Sequence, residues 1–118
     1  MGTFTHPITL LASTGPDSET LTALVDTGAT FTSAPAPTLE RLGVTPQSQI
    51  RLRLADGSVV EHDIGEVVAE MDGVRRTIIC IFSPEDVQPL IGAHTLEAFL
   101  LAVDPVAQKL VPTEALWL

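Results

Sequence analysis

The chain has 118 residues, 45% of them hydrophobic and 18% charged, which suits one packed domain and excludes a disordered segment. Six Lys and Arg against fifteen Asp and Glu give a net charge of −9, which argues against nucleic acid or an anionic membrane surface as partner, since both are gripped by cations. One Cys excludes an intrachain disulfide, and four Phe, one Trp and no Tyr leave the core to Val, Leu, Ile and Ala.

In chain order, Thr3–Ala12 reads as a strand and Ser13–Ser18 as a turn cluster. Leu21–Val25 is a second strand that runs straight into Asp26-Thr27-Gly28. Ser33–Pro37 is rich in Pro and Ala and reads as irregular; Thr38–Gly43 reads as a single helical turn stopped by its glycine. Ile50–Ala55 alternates, with Ile50, Leu52 and Leu54 on one face and Arg51 and Arg53 on the other. Asp56-Gly57 then predicts a hairpin into a strand-like run from Ser58. Glu66–Met71 reads as a further strand, Asp72-Gly73 as a second hairpin turn and Arg75–Phe82 as its return. Cys80 lies inside that apolar run and is expected to be a buried structural thiol. Ser83–Pro89 reads as a loop. His94–Leu101 has the spacing of a short helix with Leu96, Phe99 and Leu100 on its apolar side, and Ala102–Pro112 reads as a last hairpin. The expectation is one mostly-β domain over residues 1–118. No basic leader with a long apolar stretch is visible, and no apolar run nears the ~20 residues that span a bilayer, so the expected location is cytoplasmic.

One segment carries chemistry: Leu24-Val25-Asp26-Thr27-Gly28-Ala29-Thr30. A carboxylate at the end of a buried strand costs several kcal/mol unless it is paired, hydrogen-bonded or neutralised. Gly28 lets the backbone turn and face an amide toward Asp26, Thr27 offers a hydroxyl to fix the loop, and Ala29 leaves room for something to approach. The structural alternative is an ordinary Asx-turn in which Asp26 caps a loop. Leu90-Ile91-Gly92 weakly echoes the segment as a second apolar pair feeding a glycine turn. His6, His62 and His94 are far apart, with no paired-His or Cys spacing, so neither a metal nor another cofactor is expected.

The order of these features resembles the retropepsin-like aspartic protease family, the single-lobe relatives of pepsin, and its bacterial members most. The resemblance runs from about Leu21 to Pro112, through Asp26-Thr27-Gly28-Ala29, the Asp56-Gly57 hairpin, and Leu90-Ile91-Gly92 with the helix after it. It implies an all-β fold, a closed acid-protease barrel with one short C-terminal helix. It implies an aspartic endopeptidase in which Asp26 is catalytic and Thr27 and Gly28 support its loop. Ala29, Thr30, Ile91 and a flap tip formed by Ala55, Asp56, Gly57 and Ser58 would line the site for an extended peptide or protein substrate.

Peptide hydrolysis of this type holds a water between two carboxylates, one protonated and polarising the carbonyl, the other ionised and taking the water's proton. Aspartic proteases are the standard case of two such groups, about 3 Å apart, sharing one proton. This chain has one Asp-Thr-Gly. The resemblance therefore implies a homodimer that brings Asp26 beside its symmetry mate. Two readings stand against it: a catalytically weak or inactive domain of the same fold used for dimerisation or peptide binding, and a small β-barrel with a chance Asp-Thr-Gly.

The pattern departs from many retroviral members at two places. An Asp two residues beyond the motif glycine and an Arg after the later glycine, which pair there, are here Thr30 and Ala93 with His94 next, so the loop must be braced without that charge pair. The apolar tail Glu114–Leu118 is expected to place Trp117 at the dimer interface, where relatives build a sheet from their chain ends.

Overall fold

Alternating apolar residues decide which face of each strand turns inward. A computed structural model describes residues 3–118. The elements run β1 (Thr5–Leu11), β2 (Ser18–Val25), β3 (Thr32–Pro35), α1 (Ala36–Arg41), β4 (Ser48–Arg53), β5 (Val59–Met71), β6 (Val74–Ser83), β7 (Leu90–Ile91), α2 (Ala93–Ala98), β8 (Leu101–Asp104) and β9 (Lys109–Pro112). Ile8 and Leu10, Ala23 and Val25, Val67, Ala69 and Met71, and Ile78, Cys80 and Phe82 recur at period two and are all buried. Leu39 and Leu42 close one side of this core; Leu96 and Phe99, on and just after α2, close another.

Seven strands form one sheet in the order β1-β2-β7-β3-β6-β5-β4. β1 also pairs with β5, Thr9 to Glu70 and Leu11 to Val68, so six strands close into a ring and β4 hangs outside it on β5. β8 and β9 form a separate antiparallel pair. The mostly-β architecture expected from the sequence is therefore present, as a ring-like sheet with two short helices rather than one.

The differences from the sequence reading have local causes. The two runs expected between Ser58 and Met71 are one 13-residue strand. Its first half pairs with β4 and its second with β6, the two partners meeting at Ile64. Gly65 stands at the changeover because a Cβ there would come within 2.8 Å of the Thr45 carbonyl oxygen. Ser33–Pro37 is not irregular: Thr32–Pro35 is a strand parallel to β6, and Ala36 opens α1 with Pro in its first turn, where no amide is needed. Leu100, expected on the apolar face of the second helix, is instead 39% exposed with φ 54, the left-handed residue that ends the helix. The Asp72-Gly73 turn is the two-residue hairpin its sequence predicts, with φ 51 and 83.

Candidate active site

Asp26 is placed by a parallel strand pair. Leu24 and Val25 of β2 lie beside Leu90 and Ile91 of β7, so the two segments that echo each other in sequence are neighbours in space. The Asp26 amide donates to the Ile91 carbonyl at 3.0 Å, which carries the pairing one residue past the end of β2. Val25 and Ile91 are buried, whereas Asp26 is half-buried and Thr27 and Gly28 are exposed. The strand therefore delivers its carboxylate from the core to an open surface.

The turn that follows is tight. The Ala29 amide donates to the Asp26 carbonyl at 3.2 Å, and the Gly28 amide donates to Asp26 Oδ1 at 2.9 Å. A Cβ on residue 28 would sit 3.2 Å from that oxygen, so glycine is what lets the amide approach. The far side of the loop is held by the start of α2, where Ala93 N–H donates to Ala29 O at 2.8 Å and His94 N–H to Thr30 O at 2.9 Å. These two backbone bonds brace the loop at the positions where a charge pair is missing from the sequence. The His94 ring packs on Phe31, with centroids 5.6 Å apart.

Between loop and helix lies an open cleft of about 200 Å³, walled by Thr27, Gly28, Ala29 and Thr30 on one side and Ala93, His94 and Glu97 on the other. Among the described residues, no hydrogen bond or ion pair joins Asp26 to a second carboxylate, and the Thr27 hydroxyl makes no hydrogen bond within the chain. Asp26 thus offers one oxygen fixed by an amide and one able to receive a proton or a water.

Of the residues singled out from sequence, Asp26, Thr27, Gly28, Ala29, Thr30 and Ile91 are brought together here. Ala55, Asp56, Gly57 and Ser58 are not joined to them: they form the exposed tip of the β4–β5 hairpin. That tip is a turn closed by Gly57 N–H to Leu54 O at 2.9 Å, with Gly57 at φ 88. Asp56 Oδ1 accepts from the Ser58 hydroxyl at 2.6 Å and the Ser58 amide at 2.8 Å, and these bonds hold its carboxyl below the ordinary range. Arg53 donates to Gly57 O at 3.2 Å. Sequence reasoning missed Phe31, Thr32, Thr95 and Glu97. No local pattern marks Thr32 and Thr95, because their hydroxyls meet across 63 residues of chain.

Cys80 is fully buried, and burial pushes its thiol up to about 12. The histidines are dispersed: His6 lies on β1 with Nε2 3.4 Å from Asp72, His62 on β5 and His94 on α2. Among the described residues no three His, Cys, Asp or Glu side chains are grouped to hold a metal, and no helix is long and apolar enough to cross a membrane. Trp117 is 97% exposed in the tail beyond β9.

The comparisons with known proteins agree with this geometry. The family model described as aspartyl protease matches residues 13–95, from the turn after β1 into α2. No curated protein matches the chain in sequence. Among solved structures, the retroviral protease-like domain of Ddi1 from Leishmania major superposes with a TM-score of 0.60 at 18% identity, covering 95% of this chain and 89% of that one. The simian foamy virus (mac) protease gives 0.56 at 20% identity, covering 79% and 91%. The EIAV protease complexed with the inhibitor HBY-793 gives 0.53 at 17% identity, covering 80% and 86%. At these identities the likeness is one of fold, and that fold is the retropepsin-like one.

Proposed function

This chain belongs to the aspartyl protease family, and from that premise we propose that it is an aspartic endopeptidase whose active site forms between two copies of the chain. The observation that carries the reading is the Asp26 loop. A strand whose last inward-facing residues, Ala23 and Val25, are core delivers a carboxylate to an open surface, and a glycine amide holds one of its oxygens. A scaffold has no need to aim an acid out of a core strand end and fix one of its oxygens with a backbone amide.

The reaction needs two carboxylates on one water, and this chain supplies one Asp-Thr-Gly. A two-fold axis beside the loop supplies the second from the partner copy. One Asp26 is then protonated and donates to the scissile carbonyl; the other takes the proton of the attacking water, and the pair titrates as a unit. The exposed Thr27 hydroxyl is free to bond across the axis. Substrate lies extended along the loop and under the β4–β5 hairpin, paired through its backbone, with Ala29, Thr30 and Ala55–Ser58 against it. Ile91, expected from the sequence to line the site, is fully buried and supports the loop from the core instead.

The direct test is hydrolysis of a quenched-fluorescent peptide library between pH 3 and 8 by wild type and by Asp26→Asn, with and without a statine-type inhibitor. The expected result is inhibitor-sensitive cleavage that Asp26→Asn lowers by on the order of 10³-fold or more. Cleavage that survives the substitution would remove Asp26 from the chemistry.

A further inference from the structure

Beneath the Asp26 loop lies a pair of buried hydroxyls. Thr32 opens β3 and is 2% exposed; Thr95 lies in α2 and is 1% exposed. Their Oγ1 atoms are 2.6 Å apart, and Thr32 Oγ1 also accepts the Gly92 N–H at 3.1 Å. At nearly complete burial against a mainly apolar core, two hydroxyls are costly unless their bonds are used.

The Gly92 peptide is where the two halves of the loop's clamp meet. On one side, the Ile91 carbonyl takes the Asp26 amide at 3.0 Å; on the other, the Ala93 amide holds Ala29 O at 2.8 Å. Gly92 itself lies on the backbone of Phe31, where a Cβ would fall 2.5 Å from the Phe31 carbonyl carbon. The Thr32 hydroxyl fixes this peptide, and Thr95 fixes the hydroxyl. Backbone bonds set how far the chain segments stand apart, and the hydroxyl sets the direction in which the Gly92 amide points.

We infer that Thr32 and Thr95 are positioning residues for Asp26. Their hydroxyl pair holds the Gly92 peptide and, through Ile91 and Ala93, sets the position of the carboxylate. The catalytic consequence rests on the aspartic endopeptidase reading; the structural one does not. Thr32→Val keeps the shape of the side chain but strands the buried Gly92 amide, whereas Thr32→Ser keeps the acceptor.

The experiment compares the full chain as wild type, Thr32→Val, Thr32→Ser, Thr95→Val and Ile78→Val, the last a truncation of the same core on β6 that leaves both hydroxyls in place. Hydrogen exchange at the Asp26 and Ala93 amides reports the clamp directly. Turnover of one quenched-fluorescent peptide, selected for wild-type cleavage, reports its effect on chemistry. Thr32→Val is expected to speed exchange at both amides by at least about tenfold relative to Ile78→Val. It is expected to lower kcat on the order of 10- to 100-fold with KM little changed, as a small misplacement of a reacting group does. Thr32→Ser restores both. If Thr32→Val does not fold, Thr95→Val carries the same comparison. Exchange at Asp26 and Ala93 no faster than in Ile78→Val, or failure of Thr32→Ser to restore it, overturns the inference. If the wild type cleaves nothing, the enzymatic reading falls, and the exchange comparison alone still decides the positioning role.

Discussion

The Asp26 amide donates to the Ile91 carbonyl at 3.0 Å, one residue beyond the last strand pair of β2 and β7. That bond ties the proposed catalytic residue to Leu90-Ile91-Gly92. A short parallel ladder between segments 66 residues apart in register sets where the carboxylate leaves the core.

Two glycines at this junction differ in what an added methyl meets, and so should their alanine variants. In Gly92→Ala the Cβ falls 2.5, 2.6 and 2.9 Å from backbone atoms of Phe31, which have no rotamer to escape into. A loss of about 3 kcal/mol or more in stability is expected by denaturant unfolding. In Gly28→Ala the Cβ meets only the end of the Asp26 side chain, at 3.2 Å. Its unfolding free energy should change by less than about 1 kcal/mol while peptide cleavage falls, because the carboxylate must swing off the Gly28 amide. Equal stability losses in the two variants would contradict the packing account.

Cys80 makes a prediction at high pH. Burial raises its thiol from an ordinary 9.0 to about 12 in the folded chain. A folded value above the unfolded one means that the stabilisation is complete below the unfolded value. It is then lost as pH rises through the window from 9.0 to about 12. Stability to urea should fall across that window with a slope approaching about 1.4 kcal/mol per pH unit. The native thiol should resist a disulfide reagent at pH 8 and react once the chain is unfolded. Rapid labelling of the native protein would show that the core around Cys80 opens.

The hairpin tip makes the opposite prediction at low pH. The Ser58 hydroxyl, and then the Ser58 amide, hold the Asp56 carboxyl below its ordinary range. A folded value below the unfolded one means that the contribution is present above the ordinary value of about 3.9 and is lost as pH falls through the folded one. The Ser58 amide resonance should therefore stay constant from neutral pH down to about 4 and move only below it. The site is fully exposed, so the effect is expected at the tip and not in the melting temperature. Asp56→Ala should loosen the tip at neutral pH and match the wild type once the wild-type carboxyl is protonated; a tip unchanged in this variant at neutral pH would mean that the Gly57 turn alone holds it.

Much of this architecture is written in local patterns. The Asp56-Gly57 and Asp72-Gly73 hairpins follow from turn chemistry between alternating runs, and the alternation itself separates buried Val67, Ala69 and Met71 from the residues between them. Asp26-Thr27-Gly28 was visible as a carboxylate after an apolar strand. What escaped depends on distant partners. Thr32–Pro35 carries two small residues and a proline and becomes a strand only because β6 lies parallel beside it. Gly65 interrupts an apolar pattern, yet β5 runs through it because Thr45, Val44 and Phe82 crowd that point. The Thr32–Thr95 contact has no signature in either segment. The Leu90-Ile91-Gly92 segment carries part of the family resemblance, but that it lies directly beside Leu24-Val25 as a parallel strand is visible only in the fold.

The measurement that tests the shared active site most directly is titration of wild-type enzyme with excess Asp26→Asn chain, under conditions that let the copies exchange. If each site takes one Asp26 from each copy, the variant should poison it. At a ninefold excess, activity per wild-type chain should fall to about a tenth, as wild-type pairs are replaced by mixed ones. Activity per wild-type chain that stays constant across the titration, with exchange demonstrated by a tagged copy, would contradict a dyad built across two chains.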